Sequence, residues 1–161
     1  MHVTNAQGEA DVQAVCAAHG GRPDELIEIL HDVQHAQGFI SAAAIPVIAK
    51  ALNLSRAEVH GVVSFYHDFR RAPAGRHVIK LCRAEACQAR GCRDLIAHAE
   101  QRLKVKLGGT SADGAVTLEA IYCLGNCALG PAALVDGALK GRLSAERLDV
   151  IIDGFDDGDR P

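Results

Sequence analysis

Six cysteines carry the widest range of possible chemistry in this 161-residue chain. Cys82, Cys87 and Cys92 are spaced five apart, Cys123 and Cys127 four apart, and Cys16 stands alone. Thiol exchange would need a close pair, usually C-x-x-C beside a strand, and no such motif occurs. Structural zinc takes ligand pairs separated by two to four residues, which both pairs satisfy. A Rieske centre would require two histidine ligands beside the cysteines, and none of the eight histidines lies within a pair. A [2Fe–2S] cluster needs two thiolates on each iron, and a C-x4-C pair with a C-x3-C pair can supply them.

Cys82/Cys87 and Cys87/Cys92 share one spacing, so the ligand set has to be argued. A helix beginning near Cys87 would leave Cys92 rotated by roughly 140° from it, away from a common site. Cys82, at a strand end across a loop, carries no such restriction. The expected ligands are therefore Cys82, Cys87, Cys123 and Cys127, with Cys92 nearby and not ligating. Cys16 and Cys92 read at least as well as buried small hydrophobes. Gly125 and Gly130 allow backbone N–H groups to approach sulfur. Arg83, Arg90, Arg93 and Lys80 could offset the charge of a thiolate cluster, although each reads slightly better as an ordinary solvated cation.

Elements must bring these residues together. After Pro23, Leu26, Ile27, Leu30 and Val33 recur at helical spacing until Gly38 offers a cap. Residues 41–52 form a second helical pattern, with Ile45, Ile48, Ala49 and Leu52 on one side and Pro46 near its start or kinking it. Ser55 and Glu58 match the capping box, which predicts a helix over residues 55–66, and a short helix over 10–18 precedes the others. Turn-rich residues 71–75 then change the pattern. The spacing predicts a strand over 77–82, a helix over 88–107, a strand over 116–122, a hairpin of 132–135 and 138–140 around Asp136-Gly137, and a helix over 144–155. Residues 153–161, with four acidic side chains, read as a frayed tail. The fold class expected is α/β, with a helical part over 1–72 and a small open sheet with packed helices over 73–161.

Composition narrows the function. With 48% hydrophobic and 23% charged residues, the chain can bury a core without disulfide staples. The formal net charge of −3 argues against nucleic acid as main partner. Residues 76–106 nonetheless hold 8 basic and 3 acidic side chains around three of the cysteines. No apolar stretch approaches the ~20 residues of a membrane helix, and residues 1–9 resemble neither a secretory signal nor a transit peptide. The expectation is a cytoplasmic protein without direct membrane contact, where thiols serve metals or catalysis more often than disulfides. No G-x-G-x-x-G or P-loop is present, so nucleotide would bind elsewhere.

The run HGVVSFY over 60–66, PAGRHVI over 73–79, Cys82-x4-Cys87, CLGNC over 123–127 and Gly130-Pro131-Ala132 together resemble the thioredoxin-like [2Fe–2S] subunit of NADH dehydrogenases, the E-subunit family of complex I and its relatives. The resemblance implies an N-terminal helical bundle followed by a thioredoxin-like [2Fe–2S] ferredoxin domain, with Cys82, Cys87, Cys123 and Cys127 at the ligand positions. Cys92 departs from the four-cysteine pattern. Within the family, AIPVIA over 44–49, NLSRAEVH over 53–60 and CRAEACQ over 82–88 are most similar to the gamma-subunit branch of cytoplasmic, molybdenum-containing, NAD-dependent formate dehydrogenases. The E subunit of complex I, the NADH-quinone oxidoreductase, comes next, then the diaphorase part of NAD-reducing hydrogenases.

That resemblance implies electron exchange with FMN on a partner subunit that also binds NAD, and through it with a molybdenum- and Fe–S-containing catalytic subunit. No catalytic residue is implied in this chain. The helical part would be a docking surface, and Phe65, Tyr66 and Phe69 read first as core and second as interface anchors. His60, His67 and His77 read as structural or exposed. The competing class is a zinc-stabilised adaptor without electron transfer.

Overall fold

In a computed structural model, residues 5–158 are described, with side chains over 8–155. They form two compact units that divide between Pro73 and Ala74. The first contains four helices, α1 (Asn5–Ala18), α2 (Leu26–Gln37), α3 (Ala44–Ala51) and α4 (Arg56–Phe65). Each end has a local cause. Gly38, in the left-handed region at φ 81°, caps α2 through its N–H to the Gln34 carbonyl. Pro46 sits in the first turn of α3, where a missing N–H costs nothing. Ser55 and Glu58 make the reciprocal capping box that starts α4.

Val12, Cys16, Ile29, Leu30, Val33, Ile48, Leu52 and Val59 are buried together in this unit. Ile27 departs from the expected apolar stripe and is exposed, because Ile29 takes the core-facing position one turn before Val33. The three aromatics divide as well. Helix α4 ends at Phe65 and the backbone is extended at Tyr66, so Phe69 turns into the core whereas Phe65 and Tyr66 stay exposed. His19, following α1, hydrogen-bonds through Nδ1 to Glu25 at 2.7 Å and through Nε2 to Asp32 of α2 at 2.9 Å.

The second unit carries β1 (His77–Cys82), α5 (Glu85–Gln88), α6 (Cys92–Leu103), β2 (Gly109–Thr110), β3 (Val116–Ile121), β4 (Ala133–Val135), β5 (Ala138–Lys140) and α7 (Ala145–Gly158). The five-stranded sheet runs β2-β3-β1-β4-β5. Only β1 and β3 are parallel, joined by the segment that contains α5 and α6. Ile79, Leu81, Leu118, Leu148 and Ala99 centre the core. Thr117, a buried polar residue, pairs its hydroxyl with Thr110 and accepts the Gly75 N–H.

Three expectations change. The helix expected over 88–107 is broken: Gly91, at φ 86°, separates α5 from α6, and Lys104, at φ 52°, ends α6. The two-residue β2 is too short for alternation to reveal. The expected frayed tail is helical through Gly158, since Ile152 is buried and Phe155 stacks on His77; its last three residues, 159–161, lie outside the described residues. Among the described residues no helix is long and apolar enough to cross a membrane.

Candidate metal centre

Parallel pairing decides where the cysteines meet. Cys82 lies in register with Ile121, so β1 and β3 end level and Cys123 emerges two residues beyond the same edge. The Arg83 N–H donates to the Ile121 carbonyl at 2.8 Å, tying the ends of β1 and β3 together, and the Cys82 N–H donates to the Ala132 carbonyl at 3.0 Å, tying the end of β1 to the segment before β4. Loops at the carboxyl ends of parallel strands are the usual ligand-binding edge of open sheets. Cys87 is presented by the single turn of α5, and Cys127 begins a 3-10 turn that ends at Leu129.

The four thiols form two pairs of different character. Cys82 and Cys87 are buried and hydrogen-bond to one another. Cys123 and Cys127 are exposed, with their sulfurs 3.9 Å apart. Cys123 adopts φ 74°, and Gly125, at φ 72°, turns its N–H onto the Cys123 sulfur at 3.4 Å. Burial opposes ionisation of Cys82, but N–H donation from Ala84, the Cys87 thiol and N–H donation from Cys123 and Leu124 together hold it below the ordinary thiol value. Burial, followed by the contact with Cys82, pushes Cys87 up against N–H donation from Ala132. The hydrogen bond and charge of Cys123 push Cys127 up, with smaller contributions from burial and from Cys82.

Cys82 thus interacts with Cys87, with the backbone of Cys123 and with the charge of Cys127. Soft thiol donors with N–H groups aimed at sulfur suit iron–sulfur or zinc chemistry. Among the described residues no three His, Cys, Asp or Glu side chains gather as a single-ion cage, and the thiols lie as one buried and one exposed pair. Two thiols for each of two irons is the donor set a [2Fe–2S] core requires. Gly130 completes the cradle: a Cβ there would stand 3.2 Å from the Cys87 sulfur and 3.2 Å from Arg90 Cδ.

No single helix runs through Cys87 and Cys92, because the chain breaks at Gly91; Cys92 is nonetheless the nearby, buried thiol expected, in one cluster with Cys82, Cys87 and Ala132. Burial raises its thiol, with Cys82 adding to this and Arg83 and Arg93 opposing it. Cys16 is buried among the helices of the first unit. Lys80 pairs with Glu119 across β1 and β3 at 3.3 Å. Arg93 donates from Nε to Gln88 at 3.1 Å, and Arg83 and Arg90 are exposed. His77 bonds Asp136 at 2.8 Å and stacks on Phe155, while His60 and His67 are exposed.

Sequence reasoning missed the supporting shell. Ala84, Leu124 and Ala132 act through backbone N–H groups, which residue type does not signal. Gly141 was also missed, although a glycine after a hairpin was visible: a Cβ there would lie 2.7 Å from Asn126 Nδ2, inside the loop that carries Cys123 and Cys127.

The thioredoxin-like [2Fe–2S] ferredoxin family model matches residues 12–156. The chain belongs to this family. Among its relatives, the NADH-quinone oxidoreductase E subunit of Pseudomonas aeruginosa is 33% identical over 129 residues, which is 80% of this chain and 78% of the relative. The Escherichia coli protein of the same name is 36% identical over the same shares of each chain. Among solved structures, that of an air-oxidised NAD+-reducing [NiFe]-hydrogenase superposes with a TM-score of 0.70 at 26% identity, covering 84% of this chain. The present chain spans 23% of that hydrogenase chain. Membership implies the [2Fe–2S] cluster for which the two thiol pairs are suited.

Proposed function

We propose that the chain is the [2Fe–2S] electron-transfer subunit of an NADH-linked oxidoreductase of the complex I type, with Cys82, Cys87, Cys123 and Cys127 as ligands. The observation that carries this is the meeting of a buried and an exposed thiol pair at one end of β1 and β3. When bound, the cluster supplies one-electron storage, to be exchanged with FMN on a partner subunit that binds NAD. The chain's own residues hold and tune it. N–H groups of Ala84, Leu124, Gly125 and Ala132 offset negative charge on the thiolates, while Gly130 leaves room for Cys87. The exposed Cys123–Cys127 pair is the side assigned to the partner. The helical unit, with Phe65 72% exposed beside Tyr66, is assigned to docking.

The complex I reading draws its support from relatives at 33% and 36% identity. A second reading, the gamma subunit of a molybdenum-containing, NAD-dependent formate dehydrogenase in the cytoplasm, is favoured by the stretches over 44–49, 53–60 and 82–88. Both readings share the centre and differ only in the catalytic subunit beyond the flavin partner. Native purification through a tag on this chain, followed by assay of NAD+ reduction with formate or hydrogen and of NADH oxidation with quinone, tests them. Quinone-coupled NADH oxidation supports the complex I reading, formate-dependent NAD+ reduction supports the second, and a chain recovered with zinc and no flavoprotein contradicts both.

A further inference from the structure

The cations beside the thiols differ in what holds their charge. Lys80 is paired with Glu119 at 3.3 Å. Arg90 contributes its alkyl stem, with Cδ 3.2 Å from where a Gly130 Cβ would stand. Arg93 is anchored through the guanidinium itself, and its partner is a neutral amide. Gln88, the last residue of α5, accepts at Oε1 from Arg93 Nε at 3.1 Å and from Arg93 Nη2 at 2.5 Å. The same amide donates from Nε2 to the Arg83 carbonyl at 2.8 Å. One side chain therefore ties together the turn after β1, the turn that presents Cys87 and the first turn of α6.

This arrangement fixes a charge without cancelling it. Among the described residues no carboxylate pairs with Arg93, so the guanidinium gives up side-chain freedom to keep its full charge in one place. That place is within electrostatic reach of the buried thiols. The charges of Arg83 and Arg93 both act on Cys92, which shares one buried cluster with Cys82 and Cys87.

From this we infer that Arg93 raises the reduction potential of the cluster and that Gln88 is the positioning residue that holds it there. The inference rests on the four-thiolate reading above. On reduction one electron passes from the partner's flavin to the cluster, one ferric iron becomes ferrous, and the centre gains one negative charge. A fixed cation stabilises the more negative form more strongly, so the reduced state is favoured. Lys80, neutralised by Glu119, contributes less.

The test is a redox titration of the full-length chain, purified anaerobically and followed by electron paramagnetic resonance. Wild type, R93Q, R93K, Q88A and Q88A/R93Q are compared, with circular dichroism and iron and sulfide content to verify folding and loading. R93Q should lower the midpoint by about tenfold in the one-electron equilibrium, which is about 59 mV. R93K, which keeps the charge and loses the fork, should stay closer to the wild type than to R93Q. Q88A leaves both arginines in place and should fall between wild type and R93Q, with no further drop in Q88A/R93Q. A loaded R93Q with the wild-type midpoint overturns the inference. So does an R93K midpoint as low as that of R93Q, which would make the contact structural and not electrostatic. An equal Q88A effect with and without Arg93 would overturn the positioning role of Gln88. Failure of the wild type itself to hold iron and sulfide would overturn the four-thiolate reading instead.

Discussion

Gly130 stands against Cys87 so closely that a Cβ would meet its sulfur at 3.2 Å. The backbone at Gly130, φ −69° and ψ 160°, is open to any L residue, so the constraint is space at the thiol and not backbone conformation. Gly130→Ala should fold, cost about 1–3 kcal/mol through overpacking, and weaken cluster retention about 10–100-fold, the usual effect of disturbing the surroundings of a metal ligand. The rate at which visible absorbance decays in the presence of an iron chelator measures this. Unchanged retention in a folded Gly130→Ala chain would show that Cys87 does not depend on this cradle.

The remaining ligands differ from Cys16. Cys82→Ser, Cys123→Ser and Cys127→Ser should each lose the cluster or shift its spectrum, because each removes one of the four thiolates that the two irons require. Cys16→Ala should leave iron and sulfide content unchanged while lowering stability by about 1–2 kcal/mol, since Cys16 packs in the helical core. Elemental analysis beside urea melts of the same samples separates the two effects.

His19 makes the helical unit sensitive to pH. Hydrogen bonds to Asp32 and Glu25 raise its ionisation above the ordinary histidine value. A histidine with a raised folded-state value contributes stability in full below about pH 6.5, its unfolded value, and loses that contribution as pH rises through the folded value. The difference in Tm between wild type and His19→Gln should therefore be largest below about pH 6.5 and shrink as pH rises through the folded-state value. A difference that grows with pH would contradict the ion-pair arrangement.

Leu118, fully buried on β3 beside the central strand β1, supports the register that levels Cys82 with Ile121. Leu118→Ala should destabilise the sheet unit by about 2–5 kcal/mol, and cluster loss should track its unfolding in a denaturant titration monitored by visible absorbance and far-ultraviolet circular dichroism together. Cluster loss well before the sheet melts would place the support elsewhere.

Much of the frame was legible because short signals have fixed geometry. Ser55 and Glu58 announced α4, Gly38 the end of α2, and Asp136-Gly137 the hairpin between β4 and β5. The order strand, helix, strand made a parallel β1–β3 pair natural, and with it the convergence of Cys82 and Cys123. The break between α5 and α6 was not legible: Gly91 was visible, but whether a glycine inside a helical pattern turns left-handed is decided by tertiary packing, here by burial of Cys92 beside Cys82 and Cys87. The N–H groups around the sulfurs escaped for a different reason, since every residue but proline carries one.

Whether these thiols hold a reducible two-iron centre is decided by electron paramagnetic resonance of the anaerobically purified, dithionite-reduced chain, with iron, sulfide and zinc determined on the same sample. A spin-half signal accompanied by iron and sulfide in the [2Fe–2S] ratio is the expected result. A colourless, silent protein that contains zinc, and that still fails to acquire iron and sulfide on reconstitution, would show that the thiols serve another purpose.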